Sequence, residues 1–111
     1  MLAGGPKKSR FQQIFEEGLI ESQSALKVAC LPGSGLLGIT TAKAIGSKPQ
    51  RNRLKRRIRE AIRPSFDQRH KTFDWIVTGT RKAENSSLLD LVAAWQVSSD
   101  RLIERWEKGS S

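Results

Sequence analysis

Apolar residues along this chain recur with two different periods, and the changes of period mark out its elements. Phe11, Ile14 and Phe15 stand at i, i+3 and i+4, the spacing of one helix face, and Gly18 follows where a helix would end, so a short helix is expected over residues 10–17. Residues 19–21 fit a brief strand before the polar break Ser22-Gln23-Ser24. Two β-compatible runs, 25–31 and 36–41, flank Pro32-Gly33-Ser34-Gly35, a turn-forming tetrapeptide, and predict a β-hairpin. Beyond Gly46, Ser47 and Gln50 have the form of a capping box, and Pro49 suits an early helical position because its missing N–H would have had no partner there. That helix should start near Ser47 and stop at Arg63, before Pro64, leaving 64–72 as a polar, basic loop. Residues 73–80 read as a strand with Trp75, Ile76 and Val77 as its apolar centre. From Ser86 or Ser87 a longer helix can run to about Lys108, with Leu88, Val92, Trp95, Leu102 and Trp106 along one face. Trp95 and Trp106 are expected in packing rather than at a ligand. The order αβββαβα predicts an α+β fold, a two-layer α/β sandwich with helices on one side of a small sheet.

With 111 residues there is room for one domain. Residues 10–108 are assigned to it, with a disordered N-terminal tail over 1–9 and a short tail over 109–111. Twenty Lys and Arg against eleven Asp and Glu give a formal charge of +9, which attracts polyanions. No stretch approaches eighteen apolar residues, and residues 1–10 lack an apolar signal region, so no membrane partner is expected and the chain is placed in the cytoplasm. Cys30 and His70 are the single residues of their kinds. That excludes an internal disulfide and a Cys/His metal cluster, and no metal site is expected on the protein. His70 lies in a polar run and reads as a surface-loop residue without the second titrating group that acid–base cleavage of a phosphodiester wants. Cys30 sits in an apolar run and reads as a buried structural thiol.

The charge is concentrated on one element. Residues 51–63 hold seven cations and one anion, a net +6 of the chain's +9. On a helix at 100° per residue, Leu54, Ile58, Ala61 and Ile62 fall in one stripe, while Asn52, Lys55, Arg56, Arg59 and Arg63 cluster opposite it, with Arg53 and Arg57 on a flank and Arg51 near the apolar edge. A merely solvated face would interleave Glu with Lys, because cations at i, i+4 repel by a few tenths of a kcal/mol per pair, and Glu60 is the one acid present. Arg outnumbers Lys six to one in this segment, and the planar guanidinium suits phosphate oxygens bidentately and can stack on a base. The pattern points to nucleic acid. A membrane-surface helix would carry a broader apolar face.

Lys43-Ala44-Ile45-Gly46 followed by Arg51-Asn52-Arg53-Leu54-Lys55-Arg56 resembles the signature of the bacterial ribonuclease P protein subunit, a Lys-rich strand end and a Gly leading into an "RNR" helix. Phe11, Phe15 and Gly18 fall where that family has its F-x-x-x-F helix and closing Gly, and Asp74-Trp75-Ile76-Val77 resembles its last strand. The chain departs from the family's pattern at Ala44, where Lys usually repeats, at Lys48-Pro49-Gln50, which replace apolar residues, and around Ala29, where a cleft-facing aromatic is common. Arg81-Lys82 matches the family's basic pair only with one residue inserted.

The resemblance implies that the RNR helix crosses over between parallel strands. It also implies a division of labour in which a large catalytic RNA with bound Mg²⁺ cleaves the 5′ leader from precursor tRNA, while the protein binds both the RNA and the leader. By position, Lys43, Arg51, Asn52, Arg53, Lys55, Arg56, Arg59 and Arg63 would bind RNA. Phe11 and Phe15 would line the cleft that takes single-stranded leader, with plain core packing as the alternative for those two. The enzyme implied is an endoribonuclease of tRNA maturation whose protein subunit carries no catalytic residue; its partners would be the catalytic RNA and precursor tRNA, and not DNA. The competing readings are a general RNA-binding or ribosome-associated module and a module for an acidic protein partner.

Overall fold

The structure is a computed structural model that describes residues 7–109. Its elements are α1 (Lys8–Glu17), β1 (Leu19–Gln23), β2 (Leu26–Pro32), β3 (Leu37–Thr41), α2 (Lys48–Ile62), β4 (Phe73–Gly79) and α3 (Leu88–Gly109), with 3-10 turns at Arg63–Ser65, His70–Thr72 and Arg81–Asn85. The order αβββαβα is the expected one. Of the residues expected in tails, Lys7 is the N-cap of α1, Lys8 and Ser9 open that helix, and Gly109 closes α3; residues 1–6 and 110–111 lie outside the described residues. No helix among the described residues is long and apolar enough to cross a membrane.

The hairpin expected from 25–31 and 36–41 does not form. The sheet order is β1-β2-β4-β3: β2 pairs antiparallel with β1 and with β4, and β3 lies beyond β4, parallel to it. The turn-like tetrapeptide instead leads the chain across the end of β4. Asp74 Oδ1 accepts the backbone N–H groups of Ser34, Gly35 and Leu36 at 3.0, 3.1 and 3.0 Å, Gly33 N–H donates to Thr72 O at 3.0 Å, and Trp75 N–H donates to Leu36 O at 2.8 Å. Gly35, at φ +95°, supplies the left-handed residue this strap requires. The hairpin that does form joins β1 to β2 through residues 24–25. With β3 and β4 parallel, their connection must cross over the sheet, and α2 makes that crossover.

Side chains alternate between the two faces of the sheet. One face carries Leu26, Val28, Cys30, Trp75 and Val77 and packs against Leu54, Ile58 and Ile62 of α2 and Leu91, Trp95 and Leu102 of α3. The other carries Ala29 and Ile76, and α1 docks there through Ile14. The expectation that all helices share one side therefore fails for α1. The inward face of α3 is centred on Leu91, Trp95, Leu102 and Ile103, with Trp106 half-buried at its end, whereas Leu88, assigned to that face, is exposed. Ser87 caps this helix reciprocally with Asp90: the Asp90 N–H donates to Ser87 Oγ at 3.1 Å and the Ser87 N–H to Asp90 Oδ2 at 3.3 Å.

His70 is not on the surface. It is 2% exposed, with ring centroids of Phe66, Trp75 and Trp95 at 5.4, 5.6 and 5.2 Å. Its loop folds inward because Trp75 Nε1 donates to His70 O at 2.8 Å, which ties the turn to β4. Burial lowers the His70 pKa from its ordinary 6.5, against the opposing pull of the Asp67 carboxylate at 3.0 Å. Cys30 is buried, as expected, and burial pushes its thiol up to about 12, which leaves it inert.

Ile58 is fully buried between α2 and the sheet. Ile58→Ala should lower unfolding stability by about 2–5 kcal/mol in chemical denaturation; a loss well under 1 kcal/mol would mean that α2 is not held by this stripe. Because the folded His70 pKa is depressed, the unfolded chain binds more protons below about pH 6.5, so stability falls as pH drops through that value. Denaturation at about pH 7.5 and pH 5.5 should show the lower stability at the acid end, and His70→Phe should flatten the difference.

Candidate nucleic-acid interface

α2 begins where the capping box places it. Gln50 N–H donates to Ser47 Oγ at 3.5 Å and Ser47 N–H to Gln50 Oε1 at 2.7 Å, with Pro49 in the first turn. Leu54, Ile58, Ala61 and Ile62 are its buried residues, the stripe that the periodicity predicts. Gly79 at the end of β4 lets the helix come close, since a Cβ there would sit 2.9 Å from Ile58 Cδ1 and 3.1 Å from Leu54 Cδ2. Docking this stripe turns the opposite side of α2 to solvent. Asn52, Arg53, Arg56, Arg59 and Arg63 are exposed and Lys55 is half-buried. Lys43 is exposed in the turn from β3 to α2.

Among the described residues, none of these seven side chains makes a hydrogen bond or an ion pair. The ion pairs among the described residues join Arg10 to Asp74, Arg69 to Asp100, His70 to Asp67, Arg105 to Glu21 and Lys108 to Glu104. Arg51 differs from its neighbours: its Nη1 donates to Gly46 O at 2.8 Å and Ile45 O at 3.3 Å, bracing the chain that enters the helix. Arg57, on the flank, donates through Nη2 to Ser86 O and so ties α2 to the start of α3. The structure thus brings five cations and Asn52 of the expected set onto or beside one outward helix face and gives Arg51 a structural bond.

Phe11 and Phe15 lie on the far side of the sheet. Both are half-buried, with ring centroids 5.2 Å apart at 56°. They pack beside Ile14, Ala29 and Ile76, with Ile20 and Leu31 at the margin. One register step along this face stand Ser22, Lys27, Thr78 and Thr40, one from each strand. Lys27 is exposed, and its Nζ lies 6.0 Å from the Phe15 ring centroid. Aromatic faces, a cation and hydroxyls thus share one open surface.

At the other end of this face lies a buried carboxylate. Asp74 is 2% exposed. Besides the three N–H groups of the strap it accepts Arg10 Nε at 2.9 Å, and the same guanidinium donates to Pro32 O at 2.7 Å and Gln13 Oε1 at 2.8 Å. Burial alone would raise the Asp74 pKa, but the Leu36 N–H, Arg10 and the Ser34 N–H outweigh it and hold the carboxyl below the usual range.

Sequence reasoning missed Arg10, Lys27 and Asp74. For Asp74 a signal was present: an acid inside the otherwise apolar run Phe73-Asp74-Trp75-Ile76-Val77 must find partners once the strand is buried. For Lys27, strand alternation beside Ala29 would have placed it on the α1 side. Nothing in the local pattern ties Arg10 to a residue sixty-four positions away. Among the described residues, no three or more His, Cys, Asp or Glu side chains are grouped as metal ligands would be.

The ribonuclease P family matches this chain over residues 6–102. The ribonuclease P protein component of Desulfosudis oleivorans is 40% identical over 55 residues, which cover 50% of this chain and 46% of that protein, so the chain spans about half the length of this relative. The fold is similar to that of the RNase P protein of Staphylococcus aureus, with a TM-score of 0.76 at 22% identity over 90% of this chain and 94% of the other. It is also similar to the RNase P protein of Thermotoga maritima in complex with 1-(4-fluorophenyl)-2-thiourea, with a TM-score of 0.69 at 25% identity over 88% of this chain and 97% of the other. Matched from before α1 into α3, the basic helix and the aromatic face both included, the chain belongs to the ribonuclease P protein family.

Proposed function

We propose that this chain is the RNA-binding protein subunit of ribonuclease P and acts in the cytoplasm beside a catalytic RNA that removes the 5′ leader from precursor tRNA. The observation that carries this reading is the unpaired state of the cations on α2: among the described residues no carboxylate forms an ion pair with Arg53, Lys55, Arg56 or Arg59 on the outward side of the helix. Phosphate groups of a structured RNA supply the missing charge through short, charge-assisted hydrogen bonds, and each arginine can present two parallel donors. Asn52 adds a neutral donor and acceptor among them. On the other side of the sheet, Phe11 and Phe15 offer stacking surfaces to unpaired bases and Lys27 offers a charge to the backbone. Stacking is tolerant of sequence, which suits leaders that differ between substrates.

The protein contributes position and charge in this reading, and cleavage belongs to the RNA. Its histidine is buried among aromatic rings and its thiol is held protonated. The Mg²⁺ that the family implies belongs with the RNA, and no step here runs through a protein-held ion. A general RNA-binding or ribosome-associated role shares the basic helix, but a family match that also spans α1 and the aromatic face does not favour it.

Rigorously RNA-free protein should leave precursor tRNA intact, and when added to the catalytic RNA it should raise the affinity for precursor tRNA over mature tRNA. Cleavage by the protein alone, or equal gains for both tRNAs, would overturn the assignment. Arg53→Ala and Arg56→Ala should each weaken binding to the catalytic RNA by about 1–3 kcal/mol in a titration and leave the melting temperature within a degree or two. A change confined to melting temperature would make the basic face structural.

A further inference from the structure

We infer that Arg10 and Asp74 are positioning residues for the leader: together they lock α1 against the sheet in the rotation that presents Phe11 and Phe15 to a single strand. This role rests on the reading of the Phe11–Phe15 surface as the leader site.

α1 is poorly equipped to hold its own position. It has ten residues, its N-cap Lys7 makes no side-chain capping bond, and its first turn holds no acid, while Lys7, Lys8 and Arg10 place positive charge at the positive end of the helix. A helix this short is marginal without tertiary contacts. Ile14 is its one fully buried residue, and the half-buried Phe11 and Phe15 packed beside it are non-directional contacts that leave the rotation of the helix loosely set. The second anchor is Arg10, one turn earlier on the same stripe. Its guanidinium bridges Asp74 Oδ2, Pro32 O and Gln13 Oε1, joining α1 to β4, to the end of β2 and to its own next turn.

Two anchors on one stripe fix the rotation of the helix. At 100° per residue, Phe11 and Phe15 then stand about 100° round the axis from Arg10 and Ile14, at the flank where Lys27 approaches the Phe15 ring. Asp74 is a rigid receptor for this purpose. Its Oδ1 is already fixed by three backbone N–H groups of the strap, so Oδ2 is held facing Arg10 before the helix docks. Arg10 therefore sets where the aromatic rings stand, and no contact between Arg10 and the leader is needed.

The test uses the reconstituted complex of catalytic RNA with the wild-type protein, Arg10→Lys and Asp74→Asn. Lysine keeps the charge but has one ammonium in place of the fork, and Asp74→Asn keeps Arg10 and removes its ionic partner. Both variants should lose several-fold of the affinity gain for precursor over mature tRNA, bind the catalytic RNA as the wild type does, and exchange the α1 amide hydrogens faster. In a third variant, Arg10→Gln, which removes the charge, the salt dependence of the remaining leader-dependent gain should keep its slope; a log–log slope shallower by about 0.7 to 0.9 would mean that Arg10 contacts a leader phosphate directly and would overturn the positioning role. An undiminished leader gain in Arg10→Lys overturns the positioning role, and that variant decides the matter if Asp74→Asn does not fold. Absence of any leader-dependent gain with wild-type protein overturns the leader reading itself, and the positioning role with it.

Discussion

Seven cations and one acid share the fifteen residues of α2, and such a helix works against itself. Arg51, Lys55 and Arg59 follow one another at i, i+4, as do Arg53 and Arg57, and each like-charged pair opposes the helix by a few tenths of a kcal/mol. What overrides this repulsion is burial. Leu54, Ile58, Ala61 and Ile62 dock on the sheet, and a fully buried Leu or Ile contributes about 1.5–3 kcal/mol. The fold thus keeps a ridge of charge together that the helix alone would not sustain, and among the described residues no ion pair neutralises its outward cations. The parallel pairing of β3 with β4 and the close approach at Gly79 both serve that docking.

The opposite face of the sheet follows a different logic. There the apolar cluster is small, and polar bonds carry more of the positioning: a carboxylate inside β4 gathers the strap between β2 and β3 on one oxygen and the first turn of α1 on the other. In the proposed function the two faces divide the chemistry of a polynucleotide between them. A ridge of guanidinium groups suits a regular phosphate backbone, and a partly buried aromatic pair beside a lysine suits bases that have come out of a helix.

How much of this was legible depends on the range of the interactions. The capping box at Ser47 and Gln50, the buried stripe of α2 and the outward cations depend on contacts within one helix, and periodicity reads them directly. The β2–β3 hairpin failed because Pro32-Gly33-Ser34-Gly35 carries the chemistry of a tight turn, yet a carboxylate forty positions away captures its N–H groups and sends the chain past β4. His70 was misplaced for a similar reason. Its neighbours Gln68, Arg69 and Lys71 are polar, and contacts beyond that run, the indole of Trp75 reaching the His70 carbonyl and the rings of Phe66 and Trp95 beside the imidazole, turn the loop inward. Leu88 was assigned to the buried face of α3 because it shares the helical spacing, but it opens the helix, beyond the edge of the core. Arg51 counted as one cation among several, and the carbonyls of residues 45 and 46 that occupy it are set by the turn before the helix.

In the proposed function the free cations of α2 exchange ions in solution for phosphates of RNA. The most direct measure of this exchange is the affinity of the protein for the catalytic RNA as a function of salt. Each neutralised phosphate steepens the log–log slope by about 0.7 to 0.9, so engagement of Arg53, Lys55, Arg56, Arg59 and Arg63 gives a slope of about −4. A slope shallower than about −1 would contradict the account, because binding would then proceed with the basic ridge left in water.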